Sequence, residues 1–202
     1  MPMNDMWDKR YADSRFIYGI EPNRFFESEL SKLKPGKLLL PGDGEGRNAA
    51  YAAKLGWEVD AFDYSEQAVI NAREFFEAQG VQVNCYQASA IDHPSVSEQY
   101  DAVALLYLHL DSEDRTKLHE FLADSVKPGG FIIMEVFSKK QLGRISGGPQ
   151  NEDMLYDISE IRKDFEELEI IHLEEQETRL EEGALHQGDA MVIRFVARRK
   201  NM

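Results

Sequence analysis

Leu38-Leu-Leu-Pro-Gly-Asp-Gly-Glu-Gly-Arg-Asn48 is a short apolar run that ends in three glycines at alternate positions, 42, 44 and 46. The run is strand-like and Arg47 to Leu55 reads as a helix, so the glycines occupy a strand-to-helix turn. Glycine lets such a turn take positive φ and lets backbone come close to a ligand. The helix start behind it presents free N–H groups to an anion. Asp63 ends the next apolar run, roughly 20 residues on, where an acid can bond ribose hydroxyls in nucleotide-binding βαβ units. The pattern implies a site for a nucleoside-containing cofactor.

Outward from this turn, strands and helices alternate. Residues 22–33 predict a helix, with Pro22 in its first turn and Pro35-Gly36 stopping it. Lys37 to Pro41 is a strand, 46–55 a helix ended by Gly56, and Trp57 to Phe62 the second strand. Ser65 caps a helix whose stripe is Ala68, Val69, Ala72, Phe75 and Phe76, and Gly80 ends it. Val81 to Gln87 and Tyr100 to Tyr107 are strands three and four. Asp111 caps the next helix, Pro128-Gly129-Gly130 stops it, and Phe131 to Phe137 is strand five. Asp157 with Glu160 signals a last helix to about Leu168. Strands near 169–178 and 189–199, joined through Glu181-Glu-Gly183, form an antiparallel hairpin. Such alternation predicts an α/β fold with a doubly wound, mostly parallel sheet.

The chain has 202 residues, a size suited to a single domain over 1–202. A net charge of −14 and a pI of 4.8 argue against nucleic acid or anionic membrane as partner and favour a small-molecule acceptor. Cys85 is the only cysteine, so no intrachain disulfide forms; within Val81-Gln-Val-Asn-Cys-Tyr it reads as a small buried apolar residue. No His, Cys or acid cluster has metal-ligand spacing, and no metal is expected. Met1-Pro-Met-Asn-Asp-Met-Trp does not read as a signal peptide, so none is expected, and the longest apolar runs are far shorter than the ~18–20 residues of a membrane span. A cytoplasmic protein is expected; the oligomeric state is open.

The glycine loop fits two families. Gly44-x-Gly46-x-x-Ala49 matches the dinucleotide fingerprint. Gly42-x-Gly44-x-Gly46 resembles the loop of class I S-adenosyl-L-methionine (SAM) methyltransferases. The latter fits the context better: the glycines start where the strand stops, Arg47-Asn48 is bulky where a pyrophosphate needs close approach, and no Tyr-x-x-x-Lys occurs. A tight turn without ligand is the bland reading. Asp63-Tyr-Ser65, Tyr100-Asp101 and Leu122…Lys127-Pro-Gly-Gly130 extend the resemblance over most of the chain. It implies a Rossmann-like, seven-stranded sheet of order 3-2-1-4-5-7-6. A narrower resemblance is to small bacterial methyltransferases of the tellurite-resistance type. It rests on Trp7-Asp8…Arg10-Tyr11, Phe16-x-Tyr18-Gly19-x-Glu21-Pro22-Asn23, Gly44-Glu-Gly-Arg-Asn48, His109-Leu110, Gly147-Gly148-Pro149 and Glu182-Gly-x-x-His186-x-Gly188. The chain departs from the pattern in three ways. Leu40 replaces the acid of the first strand, with Asp43 shifted into the loop; Ser89 replaces the acid after strand three; and Gln187 replaces the Arg after the last histidine.

The resemblance implies a SAM-dependent transfer to a small molecule; a non-catalytic SAM-binding protein and a dinucleotide oxidoreductase are the alternatives. Gly42, Asp43, Gly44, Gly46 and Asn48 would border the methionine part of SAM, and Arg47 could reach its carboxylate or pair with Glu45 or Glu66. Asp63 would take the ribose hydroxyls, beside Ser65, or merely cap the helix that follows; Tyr64 would pack on the adenine, and Ser89 and Ala90 would flank it. Leu105 and Leu106 would line the site at the end of strand four. His109 and His186 are candidate general bases, and Glu135, inside an apolar strand, is either a paired or a functional carboxylate. His93, His119 and His172 read as surface or edge residues. Residues 1–34, with Trp7, Tyr11, Phe16 and Tyr18, form either a lid with Tyr18 near the cofactor or a helix docked on the sheet. Residues 138–156 form an acceptor-side insertion, with Gly19, Gly143, Gly147 and Gly148 as flex points.

Overall fold

The computed structural model describes residues 3–13, 15–92 and 100–201, which excludes His93. Among the described residues seven strands form one sheet: β1 (Lys37–Pro41), β2 (Glu58–Asp63), β3 (Asn84–Gln87), β4 (Tyr100–Leu106), β5 (Val126–Phe137), β6 (Glu169–Glu182) and β7 (His186–Arg198). Their order is β3-β2-β1-β4-β5-β7-β6, as the resemblance implies. The first five run parallel, and β7 is antiparallel to both β5 and β6. Among the described residues there are six α-helices, α1 (Met3–Asp13), α2 (Arg24–Leu30), α3 (Arg47–Lys54), α4 (Glu66–Gln79), α5 (Ser112–Ser125) and α6 (Ile158–Asp164), of which α2 to α6 cover the faces of the sheet.

Alternate side chains on each strand point to opposite faces. Leu38 and Leu40 pack with Phe26 of α2, Ala49 of α3 and Phe76 of α4. Leu39 between them packs with Leu118 of α5, Ile161 of α6 and Phe62. Both faces of β1 are therefore apolar, as a central parallel strand requires. Caps set the helix starts. The Asn23, Ser65, Asp111 and Asp157 side chains each accept a backbone N–H in the first turn of α2, α4, α5 and α6.

Three expectations change. α1 packs against α4 rather than on the sheet. β5 begins at Val126, before Pro128-Gly-Gly, because Tyr100 pairs with Val126 and Ala102 with Phe131, leaving 127–130 as a bulge. His119 is not a surface residue: it is buried between α5 and α6, with Nδ1 2.7 Å from Asp164. It lies on the same side of α5 as Leu118 and Leu122, where the protein closes α6 over it. His172 does sit on the edge strand β6, partly exposed.

Candidate functional site

The carboxyl ends of β1, β2 and β4 open into one cavity of about 260 Å³. This is the topological switch point, where the chain leaves β1 in one direction and β4 in the other and the connecting loops splay apart. Gly42, Asp43, Gly44, Arg47 and Asn48 line it from the β1–α3 turn. Asp63 and Tyr64 come from the end of β2, Ser89 and Ala90 from beyond β3, and Leu106 and His109 from the end of β4. His186 joins from the start of β7, and Trp7, Tyr11 and Tyr18 from the N-terminal segment.

The loop glycines have different reasons. Gly44, at φ +60°, leaves room for Tyr11: a Cβ there would lie 2.8 Å from its hydroxyl. Gly46 does not line the cavity; a Cβ would lie 2.5 Å from the Phe76 ring, so it serves the packing of α3 on α4. Asp63 accepts the N–H of Gly44 through one oxygen and that of Ser65 through the other, each at 2.9 Å. A carboxylate has about four lone-pair sites, so acceptor capacity remains on the cavity side. Burial pushes its carboxyl up to about 6. Asp43 accepts from Asn48 Nδ2 and Ala49 N, and burial pushes it up to about 7. Ser65 lies off the cavity. It caps α4 and bonds Asp8, tying α1 to α4.

Leu105 also lies off the cavity. It is fully buried on the α5–α6 face, and only Leu106, on the opposite side of β4, reaches the lining. Just beyond, Tyr107 takes φ +55°, a left-handed conformation that costs a non-glycine residue about 1–3 kcal/mol. Glu135 holds it there: the Tyr107 hydroxyl donates to Oε1 at 2.7 Å, and the Tyr107 N–H donates to the Glu135 carbonyl. Glu135 itself is outside the lining. It also binds Asn23 and Arg194, so it is a paired carboxylate behind the site.

The two histidines differ. His109 Nδ1 lies 2.9 Å from the Met154 carbonyl, to which it donates, and Nε2 accepts the Phe137 N–H at 3.3 Å. Both ring nitrogens are thus engaged. Burial pulls the ring down to about 4. His186 Nδ1 lies 3.5 Å from Glu182 Oε2, and the ring contacts Tyr18 and Tyr107. Burial lowers its pKa, opposed by the Glu182 charge. Residues 138–156 support both from behind: Met154 bonds His109, and Gly147 sits so close that a Cβ would lie 2.7 Å from His186 Cδ2.

Several contributors carry no local sequence signal. Glu45 accepts the N–H groups of Phe16 and Ile17 and the Asn71 amide, clamping the N-terminal strap over the glycine loop. Arg47 pairs with neither Glu45 nor Glu66 but with Glu182, at 2.7 Å, and donates to the Glu21 carbonyl. The β6–β7 tip also holds the strap: Ala184 N donates to the Ile17 carbonyl at 2.8 Å. Among the described residues no group of three or more His, Cys, Asp or Glu could hold a metal ion, and no helix is long and apolar enough to cross a membrane.

Residues 39–130 match the methyltransferase domain family. A ubiquinone biosynthesis O-methyltransferase of Hydrogenovibrio crunogenus is 26% identical over 138 residues, 67% of this chain and 57% of that protein. The probable S-adenosyl-L-methionine-dependent methyltransferase TehB of Haemophilus influenzae is 23% identical over 104 residues, 50% of this chain and 36% of that protein. The chain therefore spans well under two thirds of either relative. The crystal structure of Haemophilus influenzae TehB superposes with a TM-score of 0.76 at 16% identity, covering 96% of this chain and 67% of that one. Magnesium protoporphyrin IX methyltransferase of Synechocystis, with bound S-adenosylhomocysteine, gives 0.73 at 20% identity, covering 98% of both chains. Residues 39–130 thus match a methyltransferase domain, and the fold of the chain is similar to that of SAM-dependent methyltransferases, TehB among them.

Proposed function

We propose that this protein transfers the methyl group of SAM to a small-molecule acceptor bound in the cavity at the ends of β1 and β4. One observation carries the reading: the Asp63 carboxylate and the side-chain-free Gly42 and Gly44 face the same cavity. That is the donor set a nucleoside with an amino-acid tail requires. Vicinal hydroxyls need a buried acceptor, and the tail needs backbone at close range.

Asp63 takes the ribose hydroxyls. Tyr64, on the rim, covers one face of the adenine. Ser89 already accepts the Ile91 and Asp92 N–H groups, so its hydroxyl proton is the part directed to a ring nitrogen, beside the Ala90 N–H. Gly42, Gly44, Asp43 and Asn48 border the amino-acid tail, with Arg47 on its carboxylate side and Tyr18 above, in the strap that forms the lid. Bound SAM supplies an electrophilic methyl on a sulfonium. The residues of the chain supply position, which accounts for much of the acceleration in such displacements. Tyr18, Tyr107 and His186 wall the acceptor side and keep water out. His186 is the residue available to take a proton there; His109 is wall and brace.

S-adenosylhomocysteine should raise the melting temperature, by mass action on the native state, and NAD should not. Stabilisation by NAD alone would overturn the reading. Methyl release against a panel of thiols, phenols, amines and metalloid oxyanions then tests the acceptor class.

A further inference from the structure

Glu182 occupies a junction that the methyltransferase reading does not itself account for. It sits at the end of β6, four residues before His186 across the β6–β7 turn, and its side chain is about one tenth exposed. Oε2 faces His186 Nδ1 at 3.5 Å and the Arg47 guanidinium at 2.7 Å. Oε1 accepts from Asn23 Nδ2 at 3.2 Å. Glu182 is therefore tied at once to α3, to the start of α2 and to the histidine.

We infer that Glu182 is the positioning residue for His186. It holds the proton on Nδ1, so that Nε2 turns its lone pair to the cavity, and anchors that ring to the cofactor loop through Arg47. Nδ1 has only Glu182 as partner among the described residues, and a carboxylate can only accept. Nε2 makes no hydrogen bond to a described residue and, unlike Nε2 of His119, is not sealed from solvent. A ring nitrogen hydrogen-bonded on one side fixes the tautomer presented on the other. The charged or titratable groups facing His186 are Glu182 on β6, Arg47 on α3, Glu135 on β5, His109 after β4, and the hydroxyls of Tyr18 and Tyr107. Among them only the two glutamates favour the protonated ring, and Glu182 is the nearer influence.

The activity arm rests on the methyltransferase reading; the tautomer arm does not. Nitrogen-15 chemical shifts of His186 in the free wild-type protein at pH 8 should show the Nδ1–H tautomer. In Glu182→Ala, which removes the acceptor, the preference should fall away, and the His186 titration midpoint should drop by about one unit, as when an opposite charge within a few ångströms is lost. Turnover should fall at least about tenfold with a small change in S-adenosylhomocysteine affinity. A wild-type His186 protonated on Nε2 overturns the inference without any variant. So does a Glu182→Ala protein with unchanged tautomer and midpoint. Failure of S-adenosylhomocysteine to bind sinks the cofactor reading and leaves the His186 result standing.

Discussion

Replacing Glu45 by Ala should free the N-terminal strap while leaving the sheet folded. The Glu45 carboxylate is 7% exposed and accepts from Phe16 N at 2.8 Å, Ile17 N at 3.1 Å and Asn71 Nδ2 at 3.0 Å. Hydrogen bonds to a charged group contribute about 1.5–3 kcal/mol each, so three make an upper bound of roughly 4.5–9 kcal/mol. The strap need not leave those donors buried, because residues 15–18 can lift into water. The observable loss is then the docking free energy of the strap, about 2–4 kcal/mol after water re-pairs the two backbone donors. At about 1.4 kcal/mol per tenfold, amide exchange at Phe16 and Ile17 should speed up roughly 30- to 1,000-fold, while amides of β1 and β4 keep their protection. Because Tyr18 lines the cavity from this segment, S-adenosylhomocysteine affinity should fall in parallel. Glu45→Gln, which keeps one acceptor oxygen, should fall between Ala and wild type. Hydrogen exchange read by mass spectrometry decides it: unchanged protection at 16–18 in Glu45→Ala would refute the clamp.

Asp63→Ala should weaken S-adenosylhomocysteine binding by roughly 1–3 kcal/mol in calorimetry. Because the wild-type carboxyl is pushed up to about 6, affinity should decline as pH falls through that value, and Asp63→Asn should reduce the slope. His186→Ala should lower turnover on the order of 10²–10⁴-fold if it acts as the base, with near-normal cofactor affinity and loss of the acidic limb of the pH–rate profile. His109→Ala should act on stability instead. The folded ring is depressed to about 4, so the unfolded chain takes up the proton first, and wild type should lose stability as pH drops from 6.5 towards 4. The variant should lack that component in acid titrations of unfolding. Phe62→Ala, emptying a fully buried site against Tyr86 at the cavity wall, should cost about 3–5 kcal/mol in denaturant unfolding.

The sequence by itself determined the architecture and the glycine-loop end of the cavity. Alternating strand and helix patterns, each with its own cap or glycine stop, leave few topologies once crossover connections are constrained. The antiparallel hairpin at the end then distinguishes this sheet from a dinucleotide-binding one. Gly42, Gly44 and Asp63 were legible because their task is local: a turn needing positive φ, and an acid at a strand end. Where the structure decided, the reason is distance or parity. A parallel strand buried on both faces has no polar–apolar alternation, so nothing in Leu105-Leu106 says which one faces the cavity. Glu45, Glu135 and Glu182 read as three acids among 37, yet each is defined by donors far away in the chain: Phe16, Tyr107 and Arg194, and Asn23 and Arg47. His109 and His186 look alike in sequence. Only the neighbours that folding brings engage both nitrogens of one and leave a nitrogen of the other without a described partner. A side chain's chemistry is intrinsic, but its free lone pairs are what the tertiary contacts leave unused.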